Sequence, residues 1–174
     1  MLMTGTCFPQ DKSEAFQAIA WGQGAQMGRS YKVTVSIDSF STPDDNKILL
    51  DAFDKSGNQG LVDALKKMPV KGRLSFTGQA DYDITYIREG PTPTGRKIRL
   101  VTNRFVTFAE TRGYQASSDY GLSALEFNLS PEQGKSTGTF LPACKFKASK
   151  NGGVEIEGYT DPWRLDHITD KNSK

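Results

Sequence analysis

The clearest alternation of apolar and polar residues occurs at residues 31–38, where four apolar side chains are separated by single polar ones. Strict alternation of this kind predicts a strand with one buried face. Residues 14–21 are ambiguous, because their apolar positions suit either a strand or one to two helical turns. Three glycines within residues 22–28 predict a turn or loop between these two segments.

Helical periodicity follows over residues 41–68. A hydroxyl residue just before Pro43 and two acidic residues just after it predict a helix N-terminus, because they cap free N–H groups and favour the positive end of the helix dipole. Apolar residues then recur at helical spacing up to Gly57, which suits a C-terminal cap. A second short helix is predicted over residues 61–68, where a proline ends it. The segment is therefore predicted to be a two-helix insertion at about residues 43–68.

From Val70 onward the pattern returns to a period of two and predicts seven further strands. Glycine- and proline-rich connections at residues 90–95 and 151–153 are typical of hairpins. Because such short connections cannot hold parallel crossovers, neighbouring strands should be antiparallel. The predicted strands lie near residues 70–77, 80–89, 96–109, 121–129, 136–148, 153–160 and 163–169.

Eight or nine short antiparallel strands with one helical insertion predict a mainly β fold. The many consecutive hairpins favour an antiparallel β-barrel of about eight strands, with a β-sandwich as the alternative. A length of 174 residues suits one domain of ordinary size. We expect a flexible N-terminal tail over residues 1–13 and a single β-rich domain over residues 14–170.

Composition narrows the classes of function. The 22 Lys and Arg residues nearly balance the 20 Asp and Glu residues, and a net charge of +2 argues against a dedicated nucleic-acid-binding module. A single histidine, His167, and two cysteines cannot supply a multi-histidine or His/Cys metal centre, so no metal and no other cofactor is predicted. Cys7 and Cys144 either pair in an oxidising compartment or remain free thiols, with Cys144 buried in a strand.

Motifs for membrane insertion and for common catalysis are missing from the sequence. There is no run of 18 apolar residues that would span a membrane. The N-terminus lacks the basic and long apolar segments of a signal peptide, which leaves open whether such a signal was removed or never existed. Gly-x-Ser-x-Gly, His-Glu-x-x-His, Walker and dinucleotide-binding patterns do not occur.

Charged and aromatic residues are concentrated at residues 104–126, which contain the longest predicted loop after the helices. Glu126 is unusual because it interrupts an apolar run. If Leu125 and Phe127 face the core, Glu126 points to solvent; if the other face lines a lumen, Glu126 lies there beside a neutralising arginine. No catalytic residue is assigned. The candidate ligand-binding residues are Arg104, Glu110, Arg112, Asp119, Tyr120 and Glu126.

A basic strand at residues 96–104 is a second candidate site. Alternation places Arg99 and Arg104 on opposite faces of this strand. That placement argues against a continuous phosphate-binding stripe, and the simpler interpretation is a set of solvated charges.

Four short segments and two residue pairs, at residues 119–120 and 125–126, form a pattern of scattered positions along the chain. The segments are residues 33–42 (VTVSIDSFST), 61–69 (LVDALKKMP), 100–104 (LVTNR) and 141–145 (LPACK). This pattern resembles a group of uncharacterised, mostly exported bacterial proteins, and the resemblance extends over nearly the whole chain from about residue 14. It implies a periplasmic or extracellular location, and it implies no particular activity.

Three functional hypotheses follow. The leading one is a noncatalytic exported β-barrel that binds an apolar or amphipathic small molecule, because barrels of about eight strands can enclose one small ligand. The second is an enzyme that uses Glu126, Asp119 or Glu110 as an acid or base in a barrel lumen. The third is an envelope-associated interaction domain that presents the helical insertion or the loop at residues 110–120.

Overall fold

The computed structural model describes residues 13–106, 120–148, 150 and 154–172. In this part of the chain a helix, α1 (Pro43–Lys67), and a short 3-10 turn (Gly24–Gln26) accompany nine strands. The strands are β1 (Glu14–Trp21), β2 (Ser30–Ile37), β3 (Gly72–Phe76), β4 (Tyr82–Thr92), β5 (Gly95–Thr102), β6 (Leu122–Leu129), β7 (Thr137–Ala148), β8 (Val154–Gly158) and β9 (Trp163–Asp170).

The strands form a closed antiparallel barrel. They are ordered β6-β5-β4-β3-β2-β1-β9-β7-β8, and a further pairing of β6 with β7 closes the sheet. Eight strands make up the barrel, and β8 is an additional strand. The long strand β7 accommodates both neighbours, because residues 138–140 pair with β9 and residues 144–148 pair with β8. The predicted antiparallel barrel is therefore confirmed, and the ambiguous residues 14–21 form a strand.

The prediction of two helices between β2 and β3 is wrong, because the insertion is the single helix α1. Its N-terminus has the predicted chemistry: the Thr42 hydroxyl accepts a hydrogen bond from the Asp45 N–H at 3.2 Å, and the Asp45 carboxylate accepts one from the Thr42 N–H at 2.8 Å. Gly57, predicted to end the first helix, instead lies at a kink inside α1, where it adopts a φ of +59° and Ser56 is also non-helical. Glycine tolerates this conformation because it has no Cβ atom.

Contacts on both sides of the kink hold α1 on the outside of the barrel. Leu49 lies before the kink and Leu61, Val62 and Leu65 lie after it, and all four are buried. They pack with outward-facing residues of the sheet in a second hydrophobic cluster. These tertiary contacts hold the helical segments on both sides of the kink against the sheet.

The strand predicted over residues 96–109 ends earlier, at Thr102. Side chains there replace the strand ladder: the Thr102 hydroxyl donates to the Arg104 carbonyl at 2.6 Å, and the Ser123 hydroxyl accepts from the Val106 N–H at 2.7 Å. Local hydrogen bonds of this kind compete with sheet pairing. Residues 107–109 of the prediction lie outside the described residues.

The barrel interior is a packed core. Phe16, Phe127, Phe140 and Trp163 are among its largest fully buried side chains. The rings of Phe16 and Phe127 lie 5.5 Å apart, within the range of favourable aromatic contacts. A small barrel filled in this way has an interior of side chains and not a channel.

Candidate ligand-binding groove

The structure does not bring the described sequence-predicted site residues together. Arg104 is exposed, donates to the Asp81 carbonyl at 3.1 Å and lies over the Tyr82 ring. The Tyr120 hydroxyl donates to the Glu157 carboxylate at 3.0 Å, a different partner from those of Arg104. The candidates Glu110, Arg112 and Asp119 lie outside the described residues.

Glu126 lies on the outer face of the barrel, because Leu125 and Phe127 on either side of it belong to the interior core. It is not free in solvent, since its side chain is only 21% exposed. Its carboxylate accepts hydrogen bonds from Arg99 at 2.7 and 3.1 Å and forms an ion pair with Lys97 at 3.0 Å. A neutralising arginine is therefore present, although on the outer face and not in a lumen.

The ion pairs of Glu126 determine its protonation state. Partial burial raises the pKa of the carboxyl group, but the hydrogen bonds and charges of Arg99 and Lys97 outweigh burial and lower the pKa below its ordinary value. Glu126 is thus an ionised carboxylate at neutral pH. This is the state of an ion-pair partner and not of a proton donor.

A groove of about 610 Å³ lies between α1 and the outer face of β4 and β5. We call it the outer groove. Its volume falls within the roughly 300–1,000 Å³ that small-molecule sites occupy. Its apolar floor consists of Leu49, Leu50, Phe53, Leu61, Leu65, Tyr86, Val101 and Phe146. Its polar edge consists of Asn46, Arg88, Glu89, Gly90, Pro91, Thr92, Lys97 and Arg99.

The register of the β4–β5 hairpin places the cationic residues on one edge of the groove. Arg88 lies directly opposite Arg99, and Gly90 lies opposite Lys97. Because Ile87 and Ile98 face the interior, alternation turns Arg88, Lys97 and Arg99 outward. We call these three residues the cationic rim.

The floor continues from the rim toward the helix. Tyr86 lies opposite Val101 in the β4–β5 ladder. This pair is two residues along each strand from the Arg88–Arg99 pair, so its side chains also point outward. The Tyr86 hydroxyl donates to the Asn46 side-chain carbonyl at 2.9 Å, which links β4 to α1. The groove therefore has an apolar side under the helix and a charged side at the hairpin.

Sequence reasoning missed Arg88, and it interpreted Lys97 and Arg99, within the basic strand at residues 96–104, as solvated charges. A signal for them is present in the hairpin at residues 90–95. The Thr92–Gly95 pair leaves a two-residue turn, and counting back from that turn places Arg88 opposite Arg99. The covering helix could not have been inferred in the same way, because it depends on contacts distant in sequence.

No protein-family model, curated protein or solved structure matches the chain. The resemblance to exported bacterial proteins and the exported location therefore stay predictions. In the described ranges no helix is long and apolar enough to cross a membrane. Across the same residues, no group of three or more His, Cys, Asp and Glu side chains is arranged to hold a metal ion. Cys144 is a free, buried thiol whose pKa is raised to about 12 by burial.

Proposed function

We propose that this protein is a noncatalytic binding module that holds an amphipathic small molecule in the outer groove. The observation that carries the proposal is the combination of an apolar floor and a cationic rim in one groove of about 610 Å³. Ligand sites of this size are typically apolar with a few placed polar groups. We place the ligand outside the barrel because large side chains occupy the interior.

The apolar floor supports binding of an alkyl or similarly extended apolar group. Leu61, Leu65 and Val101 are at most 7% exposed and form a fixed base, whereas Leu50 is 43% exposed at the groove edge. Covering such a surface with a ligand removes apolar area from water. Each additional buried methylene contributes about 0.8 kcal/mol, so affinity should rise with the length of the apolar chain until the floor is covered.

The environment of the titratable groups supports binding in preference to catalysis. Glu126 is held by two cations in its ionised state. His167 lies on β9, where its Nδ1 contacts Asp166 at 2.6 Å, and neither residue lines the outer groove. General acid–base chemistry needs a group that exchanges a proton within reach of the substrate. We therefore favour binding over the hypothesis of a carboxylate-dependent enzyme.

Exposed apolar residues on α1 give little support to a partner-binding helix. Ile48 is 52% exposed and Leu50 is 43% exposed, but they are two positions apart and so do not share one helix face. Single exposed apolar residues are ordinary on protein surfaces.

The test is a titration of the full chain with straight-chain amphiphiles of increasing length, followed by calorimetry. Leu50→Asp places a charge at the groove edge and should weaken binding several-fold. Ile48→Asp is the matched control, because it adds the same charge to the same helix outside the groove. Failure of every chain length to bind, or equal effects of the two substitutions, would contradict the proposal. Mass spectrometry of ligands that copurify with the native protein would identify the natural occupant.

A further inference from the structure

The cationic rim brings two arginines together in an unfavourable way. Arg88 and Arg99 are directly opposite each other on neighbouring antiparallel strands, and both side chains point outward into the outer groove. Side chains at such positions interact closely, and like charges directly opposite each other destabilise the sheet. An arrangement of this kind is relieved when an anion binds between the two guanidinium groups.

Carboxylates near the rim compensate this charge only in part. Lys97 and Arg99 both pair with Glu126. Glu155 lines an adjoining cavity with Arg99, but it lies directly opposite Lys147 in the β7–β8 ladder. Within the described ranges Arg88 forms no ion pair or hydrogen bond through its side chain. Glu126 therefore neutralises at most one of the three positive charges of the rim.

One further carboxylate, Glu89, lines the same groove but is already engaged. It accepts a hydrogen bond from Arg96 Nη1 at 2.9 Å, and the same guanidinium also binds Glu14. Arg96 and its two carboxylates carry one net negative charge at the neighbouring barrel end. This net negative charge reduces the positive charge of the cationic rim without cancelling it.

From this geometry we infer that the molecule bound in the outer groove is a single-chain amphiphile with an anionic head group, held by Arg88 and Arg99. The inference rests on the proposed function and adds the chemical class of the ligand. Guanidinium groups bind carboxylate, phosphate and sulfate oxygens in paired, charge-assisted hydrogen bonds. The apolar chain would then lie along Leu49, Phe53 and Leu65, on the helix side of the groove.

Four probes with a ten-carbon acyl or alkyl chain test this inference: decanoate, decyl phosphate, decyl maltoside and decyltrimethylammonium. Each is titrated into the full chain below its critical micelle concentration. We expect decanoate or decyl phosphate to bind at least tenfold more tightly than the neutral and cationic probes. The ratio between the two anions distinguishes a carboxylate head group from a phosphate one.

Arg88→Gln should reduce the affinity for the preferred anion about tenfold, the loss expected when one charge-assisted contact worth about 1.4 kcal/mol is removed. It should leave the affinity for decyl maltoside unchanged. Arg29→Gln is the control, since Arg29 is also exposed but lies outside the groove.

The two proposals fail in different ways. If decyl maltoside binds as tightly as decanoate and Arg88→Gln changes neither, the anionic head group is refuted while binding in the groove stands. If no probe binds, or if Leu50→Asp leaves all affinities unchanged, the proposed function itself is refuted.

Discussion

The interior of the barrel and the outer groove are formed by opposite faces of the same strands, and the two faces differ in polarity. Alternate residues of β5 illustrate the contrast, since Ile98 and Leu100 are at most 1% exposed inside whereas Arg99 between them is exposed outside. The interior is packed with aliphatic and aromatic side chains. The outer face has apolar surface next to charge, and α1 covers only part of it.

This difference leaves the outer face of the barrel as the place for the proposed binding site. In small barrels, side chains alone can fill the interior, so inward positions are committed to stability. Outward positions are free to change once a helix is laid across them, because the helix supplies one wall and the sheet supplies the other. We therefore expect substitutions inside to affect folding, and substitutions in the outer groove to affect binding.

The largest expected effect is that of Phe127→Ala in the interior. Phe127 is fully buried and packs against Phe16, so removal of its ring should lower the free energy of unfolding by about 3–5 kcal/mol. The measurement is urea denaturation followed by circular dichroism. Ile48→Ala, at an exposed position of α1, is the control and should change stability by about 0.5 kcal/mol or less. A loss below about 1 kcal/mol for Phe127→Ala would show that the interior is loosely packed.

A smaller effect is expected where α1 is fastened to the barrel. Asn58, one residue beyond Gly57 of the kink, donates to the Phe146 carbonyl and accepts from the Phe146 N–H, both at 2.6 Å. Asn58→Ala leaves these two backbone groups of β7 without their partner, which should cost about 1–3 kcal/mol. Hydrogen exchange of the Phe146 amide should accelerate in the same variant.

The control for this prediction is Gln59→Ala, the neighbouring position on α1. Gln59 makes an exposed hydrogen bond to Asp63 within the helix and contacts no strand through it. Its removal should leave the Phe146 amide protected. Unchanged exchange in Asn58→Ala would mean that the buried leucines alone hold the helix on the barrel.

The strands were largely predictable from the sequence because a period of two is a local signal. Residues 31–38, for example, were predicted as a strand and β2 spans Ser30–Ile37. Closure into a barrel was harder, since it depends on pairings between distant strands, such as β1 with β9. Hairpins alone favoured the barrel without excluding the sandwich.

The helix and the groove depend more strongly on tertiary structure. Gly57 does interrupt the helical backbone, but burial of Leu61 and Leu65 and the contact of Asn58 with β7 keep the chain helical after the kink. For the same reason Arg88 could not be recognised as part of a site. Its place in the cationic rim depends on Arg99 on the next strand and on a helix that lies more than 20 residues away in sequence.

The smallest expected effect on stability is that of removing the charge of Glu126, which pairs with two residues of the cationic rim. Since Arg99 and Lys97 lower the pKa of this carboxyl group below its ordinary value of 4.5, its ionised form stabilises the folded state. The contribution is fully present above about pH 4.5 and is lost as the pH falls through the lower pKa of the folded protein. Glu126→Gln should therefore lower the unfolding free energy at pH 7 by about 1 kcal/mol or less, with the difference from the wild type shrinking in acid. Glu132→Gln, which removes an exposed partner of Lys135, is the control.

Because Glu126→Gln also frees Arg99 and Lys97, it should tighten decanoate binding at pH 7. Weaker binding would mean that Glu126 positions these cations for the ligand.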